Sequence, residues 1–161
     1  MKSMKKILCA ALCLAIILAL GACAKTNGTQ IANPMKGSSV QEFEAAGVVM
    51  PEIGGKTPTG CSTTDLGGGK VLYQADYGSF TVRAQKTDKQ EDISGMNYKW
   101  QSENLSTPQL LQGDPVVKTD GEGAGIVYWY LGGMSWSAGM TQGADADTLL
   151  SIYFAVADAN P

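Results

Sequence analysis

The sequence predicts an α+β fold: one small domain in which an antiparallel sheet carries an N-terminal and a C-terminal helix, both packed on one face of the sheet. Two observations lead to this prediction. Apolar and polar residues alternate through much of residues 70–140, as strands with one buried face require. Apolar residues at helical spacing flank that region, near residues 39–47 and 145–156.

The first helix is predicted from its N-terminal signal. Ser39 and Glu42 have the spacing of a capping box, in which each residue bonds a free backbone N–H of the first turn. Phe43 would lie on the apolar face, and Gly47 is placed to end the helix. The following residues 51–69 are rich in Gly, Pro and Thr and are predicted to form a loop, with a short strand near Cys61 at most.

The central region is predicted to contain hairpins and further strands. Residues 71–76 and 80–85 alternate with period two and would form a hairpin around a short turn. The charged residues 86–92 are expected to form an exposed loop. Further strands are predicted at residues 97–101 and 115–119.

The strongest β pattern lies in residues 125–140. Two apolar runs flank Gly132 and Gly133, which supply the positive φ angles of a tight hairpin turn. The C-terminal helix would begin near Asp145, where a carboxylate can cap free N–H groups. Its buried face would contain Leu149, Ile152, Tyr153 and Val156.

The N-terminus has the three parts of an export signal. Basic residues are followed by an apolar run over residues 7–20, which as a helix would reach about 21 Å, less than the roughly 30 Å of a bilayer's hydrocarbon core. The run ends in Leu20-Gly21-Ala22-Cys23, which resembles the lipobox of bacterial lipoproteins. The resemblance implies that Cys23 receives a diacylglyceryl group and becomes the first residue of the mature protein. The alternative is an ordinary secretory cleavage site at the same small residues.

This resemblance divides the chain into three parts. Residues 1–22 would be the signal peptide, residues 23–34 the lipidated cysteine with a short polar tether, and residues 35–161 one globular domain. The partner implied is the membrane, bound through the acyl chains on Cys23. The location implied is extracytoplasmic, at the outer face of the cytoplasmic membrane if the cell is Gram-positive.

A second resemblance spans most of the predicted domain. Together the motifs look like those of small uncharacterised lipoproteins, and related domains of unknown function, from Clostridia-type Gram-positive bacteria. This resemblance implies a location and no reaction. The motifs are Asn33-Pro34-Met35, Ile93-Ser94-Gly95, Trp129-Tyr130-Leu131-Gly132-Gly133, Ser135-Trp136-Ser137 and Gly143-Ala144-Asp145.

Charge and composition argue against several functions. Without the predicted signal peptide the chain has 9 basic and 15 acidic side chains, a formal net charge of −6, which disfavours binding to nucleic acid. The sequence contains no histidine, so Ser-His-Asp and Cys-His catalysis and histidine-ligated zinc are excluded. We expect no enzyme activity, no metal and no cofactor.

A thiol and a group of carboxylates are the remaining candidates for reactive side chains. Cys61, the one cysteine left after processing, is either a reactive thiol or a small residue packed under a loop, and the second interpretation is favoured because no cation adjoins it. A glycan-acting enzyme that uses a carboxylate pair is a less favoured alternative. The carboxylates available to it are Asp76, Glu103, Asp114, Asp120 and Glu122.

The predicted function is a non-catalytic binding or interaction module of the cell envelope. Trp129, Tyr130 and Trp136 could form a surface for a protein or glycan partner. The competing interpretation, which we favour, is that these aromatic residues fill the core beneath the helices. The alternative function is a structural or regulatory envelope lipoprotein without a small-molecule ligand.

Overall fold

Two helices and eight strands follow one another along residues 35–103 and 112–161, the part of the chain that the computed structural model describes. Helices and strands do not alternate along the chain, because seven strands lie between the two helices. The elements are β1 (Lys36–Ser38), α1 (Val40–Ala45), β2 (Gly60–Gly67), β3 (Lys70–Asp76), β4 (Thr81–Lys86), β5 (Ser102–Glu103), β6 (Val116–Thr119), β7 (Gly125–Leu131), β8 (Met134–Met140) and α2 (Ala146–Ala159).

The strands form one antiparallel sheet in the order β1-β2-β3-β4-β8-β7-β6-β5. The sheet consists of two meanders, β1 to β4 and β5 to β8, each pairing strands that are neighbours in sequence. The meanders join where β4 pairs with β8, for example with Val82 opposite Ala138. The two central strands of the sheet therefore lie more than 45 residues apart in the chain.

This topology requires a long connection from β4 in the centre to β5 at the far edge. Residues 87–101 make that connection and are bound to one face of the sheet. The Ser135 hydroxyl donates to the Lys89 carbonyl at 2.9 Å, and the Arg83 guanidinium donates to the Ser94 carbonyl. These bonds satisfy backbone groups that would otherwise face the sheet without partners.

The opposite face of the sheet carries the hydrophobic core. Trp129 lies opposite Trp136 in the β7–β8 ladder, and their rings stack with centroids 6.2 Å apart. The Tyr153 ring of α2 meets Trp129 edge-on at 5.2 Å. The predicted buried face of the C-terminal helix is confirmed, since each of its four residues is at most 2 % exposed: Leu149, Ile152, Tyr153 and Val156.

The α+β prediction, with an N-terminal and a C-terminal helix flanking the sheet, is wrong. The structure is dominated by the antiparallel sheet, and the two helices have 6 and 14 residues. Helix α1 has the predicted capping box but buries one side chain, Phe43, which meets Tyr73 edge-on at 5.2 Å. An irregular segment covers the adjoining core instead, through the buried Val48, Met50 and Ile53. A helix of six residues, fewer than two turns, is too short to form a layer of its own.

Several predicted elements are confirmed. The hairpin β3–β4 turns at residues 77–80, and β7–β8 turns at Gly132 and Gly133, whose φ angles are +62° and +77°. Asp145 is the N-cap of α2, and its side chain accepts from the Thr148 N–H at 2.7 Å.

Other local predictions are wrong. The predicted loop 51–69 contains a strand where a short one near Cys61 was allowed, but that strand, β2, has eight residues and pairs with both β1 and β3. The predicted strand 97–101 does not form; those residues complete the connection, and pairing starts at β5. The predicted exposed loop 86–92 is exposed in most of its side chains, but Lys86 ends β4, Thr87 and Gln90 are half-buried, and the backbone at residues 89 and 91 is bonded to Ser135.

The end of α2 is tied to the start of the domain by Asn160. Its side-chain carbonyl accepts from the Val49 N–H at 2.9 Å, and its amide nitrogen donates to the Val49 carbonyl at 2.9 Å. The same nitrogen donates to the Val156 carbonyl at 2.8 Å. One side chain thus pairs with Val49 as a neighbouring strand would and also satisfies a free carbonyl of the helix end.

The predicted signal peptide, Cys23 and the tether lie outside the described residues, so their predictions stay predictions. Within residues 35–103 and 112–161, no helix is long and apolar enough to cross a membrane.

Candidate functional site

The aromatic residues proposed as an interaction surface do not form one. Trp129 is 0 % exposed and Trp136 is 2 % exposed, so both belong to the core. Tyr130 lies on the other face of the sheet, because successive residues of a strand point to opposite faces. Its hydroxyl donates to the Thr87 carbonyl at 3.1 Å and so holds the connection between β4 and β5. The favoured interpretation of the tryptophans as core residues is thus the one that their burial supports.

The candidate carboxylates for glycan chemistry act as turn residues where their contacts are described. Asp76 accepts from the Gly78 N–H at 2.7 Å. Asp120 accepts from the N–H groups of Glu122 and Ala124, at 2.8 and 2.9 Å. The side chain of Glu103 lies outside the described atoms. Within the described part of the chain, no three Asp, Glu, Cys or His side chains come together as a metal site would need.

Cys61 is a half-buried free thiol in β2, on the core side of the sheet. Burial raises the pKa of this thiol above its usual value, which lowers the fraction of reactive thiolate at neutral pH. The interpretation of Cys61 as a packed residue agrees with this environment.

A cleft of about 330 Å³ lies between α2, the β3–β4 turn and the segment before β2. We call it the Lys56 cleft. Its walls contain Ile53, Gly54, Lys56, Ser79, Phe80, Met140, Thr148, Ser151, Ile152 and Ala155. The volume falls at the lower end of the range of small-molecule sites in proteins.

One wall of the Lys56 cleft is a tight turn. Ile53 and Lys56 exchange backbone hydrogen bonds of 2.9 and 3.0 Å across Gly54 and Gly55. Both glycines have positive φ angles, +57° and +76°, which a two-residue hairpin turn of this type demands. The turn fixes the direction in which the Lys56 side chain leaves the backbone.

The turn is held against the β3–β4 connection. The Tyr77 hydroxyl donates to the Pro51 carbonyl at 2.8 Å, and the Tyr77 ring stacks on Phe80 with centroids 4.6 Å apart. Burial, and next the nearby Cys61, raise the pKa of Tyr77, so its hydroxyl keeps its proton and remains a donor. The walls of the cleft are therefore tied together by a hydrogen bond and an aromatic contact.

The floor of the cleft is apolar and its rim is polar. Phe80 and Met140 are each 7 % exposed, and Ile152 from α2 lies beside them. At the rim, the Lys56 ammonium donates to the Ser79 hydroxyl at 2.7 Å and lies 5.9 Å from the Phe80 ring centroid. An apolar floor with a few polar groups at the edge is the usual composition of a small-molecule site.

Helix α2 contributes hydroxyls to the opposite wall. Thr148, Ser151, Ile152 and Ala155 follow the i, i+3, i+4, i+7 spacing and so share one side of the helix. The Ser151 hydroxyl donates to the Thr148 carbonyl at 2.7 Å, which leaves its oxygen lone pairs as acceptors.

Sequence reasoning missed the Lys56 cleft. The Gly54-Gly55 pair between Ile53 and Lys56 is a hairpin signal that lies inside the region predicted to be a loop. The turn could thus have been found. Its meeting with α2, nearly a hundred residues later, depends on the strand order and has no local signal.

No family model, no curated protein and no solved structure matches the chain. The interpretation of the Lys56 cleft therefore depends on its own geometry and chemistry.

Proposed function

We propose that the chain is a lipid-anchored module of the cell envelope that binds a small ligand in the Lys56 cleft and does not catalyse a reaction. The anchor part of the proposal is based on the lipobox pattern that ends at Cys23. The binding part depends on one observation, a cleft of about 330 Å³ whose lining combines an apolar floor with one lysine and three hydroxyls.

Binding is favoured over catalysis by the groups that the cleft offers. The residues that line it supply one ammonium and three hydroxyls, and they include no carboxylate, imidazole or thiol. Lysine and hydroxyl groups can also act as base and nucleophile. In the cleft, however, Lys56 meets Ser79 as an ammonium that donates to the hydroxyl, and an ammonium has no lone pair to take the hydroxyl proton. The Ser151 hydroxyl is bonded to a backbone carbonyl and not to a base that could activate it.

The anchor is tested by the mass of the protein from its native membrane. A mature chain that begins at Cys23 and carries acyl mass supports it, and Cys23→Ser should move the protein from the membrane to the soluble fraction. An unmodified chain that starts at Lys25 would contradict the lipoprotein proposal.

Binding is tested by NMR of side-chain methyl groups in the complete lipidated protein, held in phospholipid nanodiscs. Hexanoate, hexanol, hexylamine, short peptides and peptidoglycan fragments are titrated separately. The reporters are the Ile53 and Met140 methyls in the cleft, with Met35, which is 58 % exposed, as an internal reference. We expect saturable shifts of the cleft methyls with at least one compound.

Matched variants on α2 separate binding in the cleft from partition into lipid. Ser151→Trp places an indole in the cleft from an exposed position and should abolish the shifts. Phe154→Trp adds an indole at a residue that is 50 % exposed and does not line the cleft, and it should leave the shifts intact. If no compound shifts the cleft methyls, the binding proposal is wrong, and the structural or regulatory alternative is favoured.

A further inference from the structure

The charge at the Lys56 cleft points to the class of ligand. Lys56 is the one charged residue among those lining the cleft, and its described hydrogen-bond partner is the neutral Ser79 hydroxyl. An ammonium held at the edge of an apolar floor attracts an anionic group on an otherwise apolar molecule.

The same two side chains offer a pair of donors. Lys56 has three N–H donors, one of which is given to Ser79, and the Ser79 oxygen accepts it while keeping its own O–H free to donate. Because the nitrogen and the oxygen are 2.7 Å apart, both can donate to the two oxygens of one carboxylate. A phosphate would bring more charge and more acceptors than one ammonium and one hydroxyl can satisfy.

The floor sets the second requirement. Phe80, Met140 and Ile152 present apolar side chains, and Ile53 adds another beside the Lys56 turn. Each methylene of an aliphatic chain buried there should tighten binding about fourfold. A carboxylate without such a chain, such as acetate, would use the rim but not the floor.

We propose that the Lys56 cleft binds an amphiphilic carboxylate, with the carboxylate between Lys56 and Ser79 and the aliphatic part on the floor. This inference rests on the proposed function, since it names the ligand class for the same cleft. It also predicts that acetate binds much more weakly than hexanoate, because the floor remains empty.

The test compares hexanoate, hexanol and hexylamine by the methyl shifts described above, at constant ionic strength. Hexanoate should bind most tightly and hexylamine most weakly. Lys56→Gln should weaken hexanoate about fivefold, the upper end for an exposed charge pair, and leave hexanol unchanged. Lys70→Gln, at an exposed lysine outside the cleft, is the matched control and should have no effect.

The outcomes separate this inference from the proposed function. If hexanol or hexylamine binds as tightly as hexanoate, or if Lys56→Gln leaves hexanoate binding unchanged, the ligand class is wrong while the cleft remains a binding site. The same holds if peptides or peptidoglycan fragments shift the cleft methyls and hexanoate does not. If none of the compounds shifts them, the proposed function itself fails.

Discussion

Replacing Asn160 should strongly destabilise the domain, although the residue is the last but one of the chain. Asn160→Ala removes three hydrogen bonds, two to Val49 and one to Val156. At a net contribution of about 1 kcal/mol for each bond, the free energy of unfolding should fall by about 3 kcal/mol. For a domain of this size, that loss lowers Tm by about 12 °C.

Thermal unfolding followed by circular dichroism measures this effect. Asn97→Ala is the matched control, because Asn97 is exposed, and it should change the free energy of unfolding by less than about 0.5 kcal/mol. In Asn160→Asp one side-chain oxygen can still accept from the Val49 N–H. The second oxygen replaces the donor amide and, when ionised, is repelled by the carbonyl oxygens of Val49 and Val156. It should be at least as destabilising at neutral pH and recover partly in acid. If Asn160→Ala unfolds with the Tm of the control, the tie between α2 and residue 49 does not stabilise the fold.

Three further predictions follow from single contacts. Arg83→Met leaves the Ser94 carbonyl without its donor, so it should cost about 2 kcal/mol and speed amide hydrogen exchange near that residue; unchanged exchange would contradict the role given to Arg83. Trp100→Phe should remove most of the fluorescence that acrylamide quenches, because Trp100 is half-buried while the other two tryptophans are in the core; strong residual quenching would contradict that burial. Asp145→Ala should lower stability at neutral pH. Hydrogen bonds from Thr148 hold the pKa of the Asp145 carboxyl below its usual value, so its stabilisation is present above that value and lost as the pH falls through the folded pKa. A stability gap that stays constant into acid would argue against the cap.

Local signals predicted the elements whose stability is local. The capping box at Ser39, the glycine turn of β7–β8 and the N-cap at Asp145 each depend on residues within a few positions of one another. The alternation in β3 and β4 was visible because one side of each strand faces the core. These features could be predicted because the chemistry that forms them lies within one short window of sequence.

The remaining errors arise from tertiary context. Strand β2 lacks apolar alternation, because it lies near the sheet edge and the side that carries Cys61 continues with Thr63 and the exposed Asp65. The fold class was wrong because a capping box reports where a helix starts and not how long it is. The Lys56 cleft was missed because the β3–β4 turn and α2 meet only through the strand order.

The strand order has a consequence for the chain as it is made. The chain is synthesised with its N-terminus first. Strands β1 to β4 are therefore complete about fifty residues before β8 has been made. During that interval β4 is an open edge, with the unpaired N–H and C=O groups that attract other strands. A chain that stops before residue 134 should therefore tend to aggregate through β4. Once the β7–β8 hairpin has formed, β8 occupies that edge and protects it.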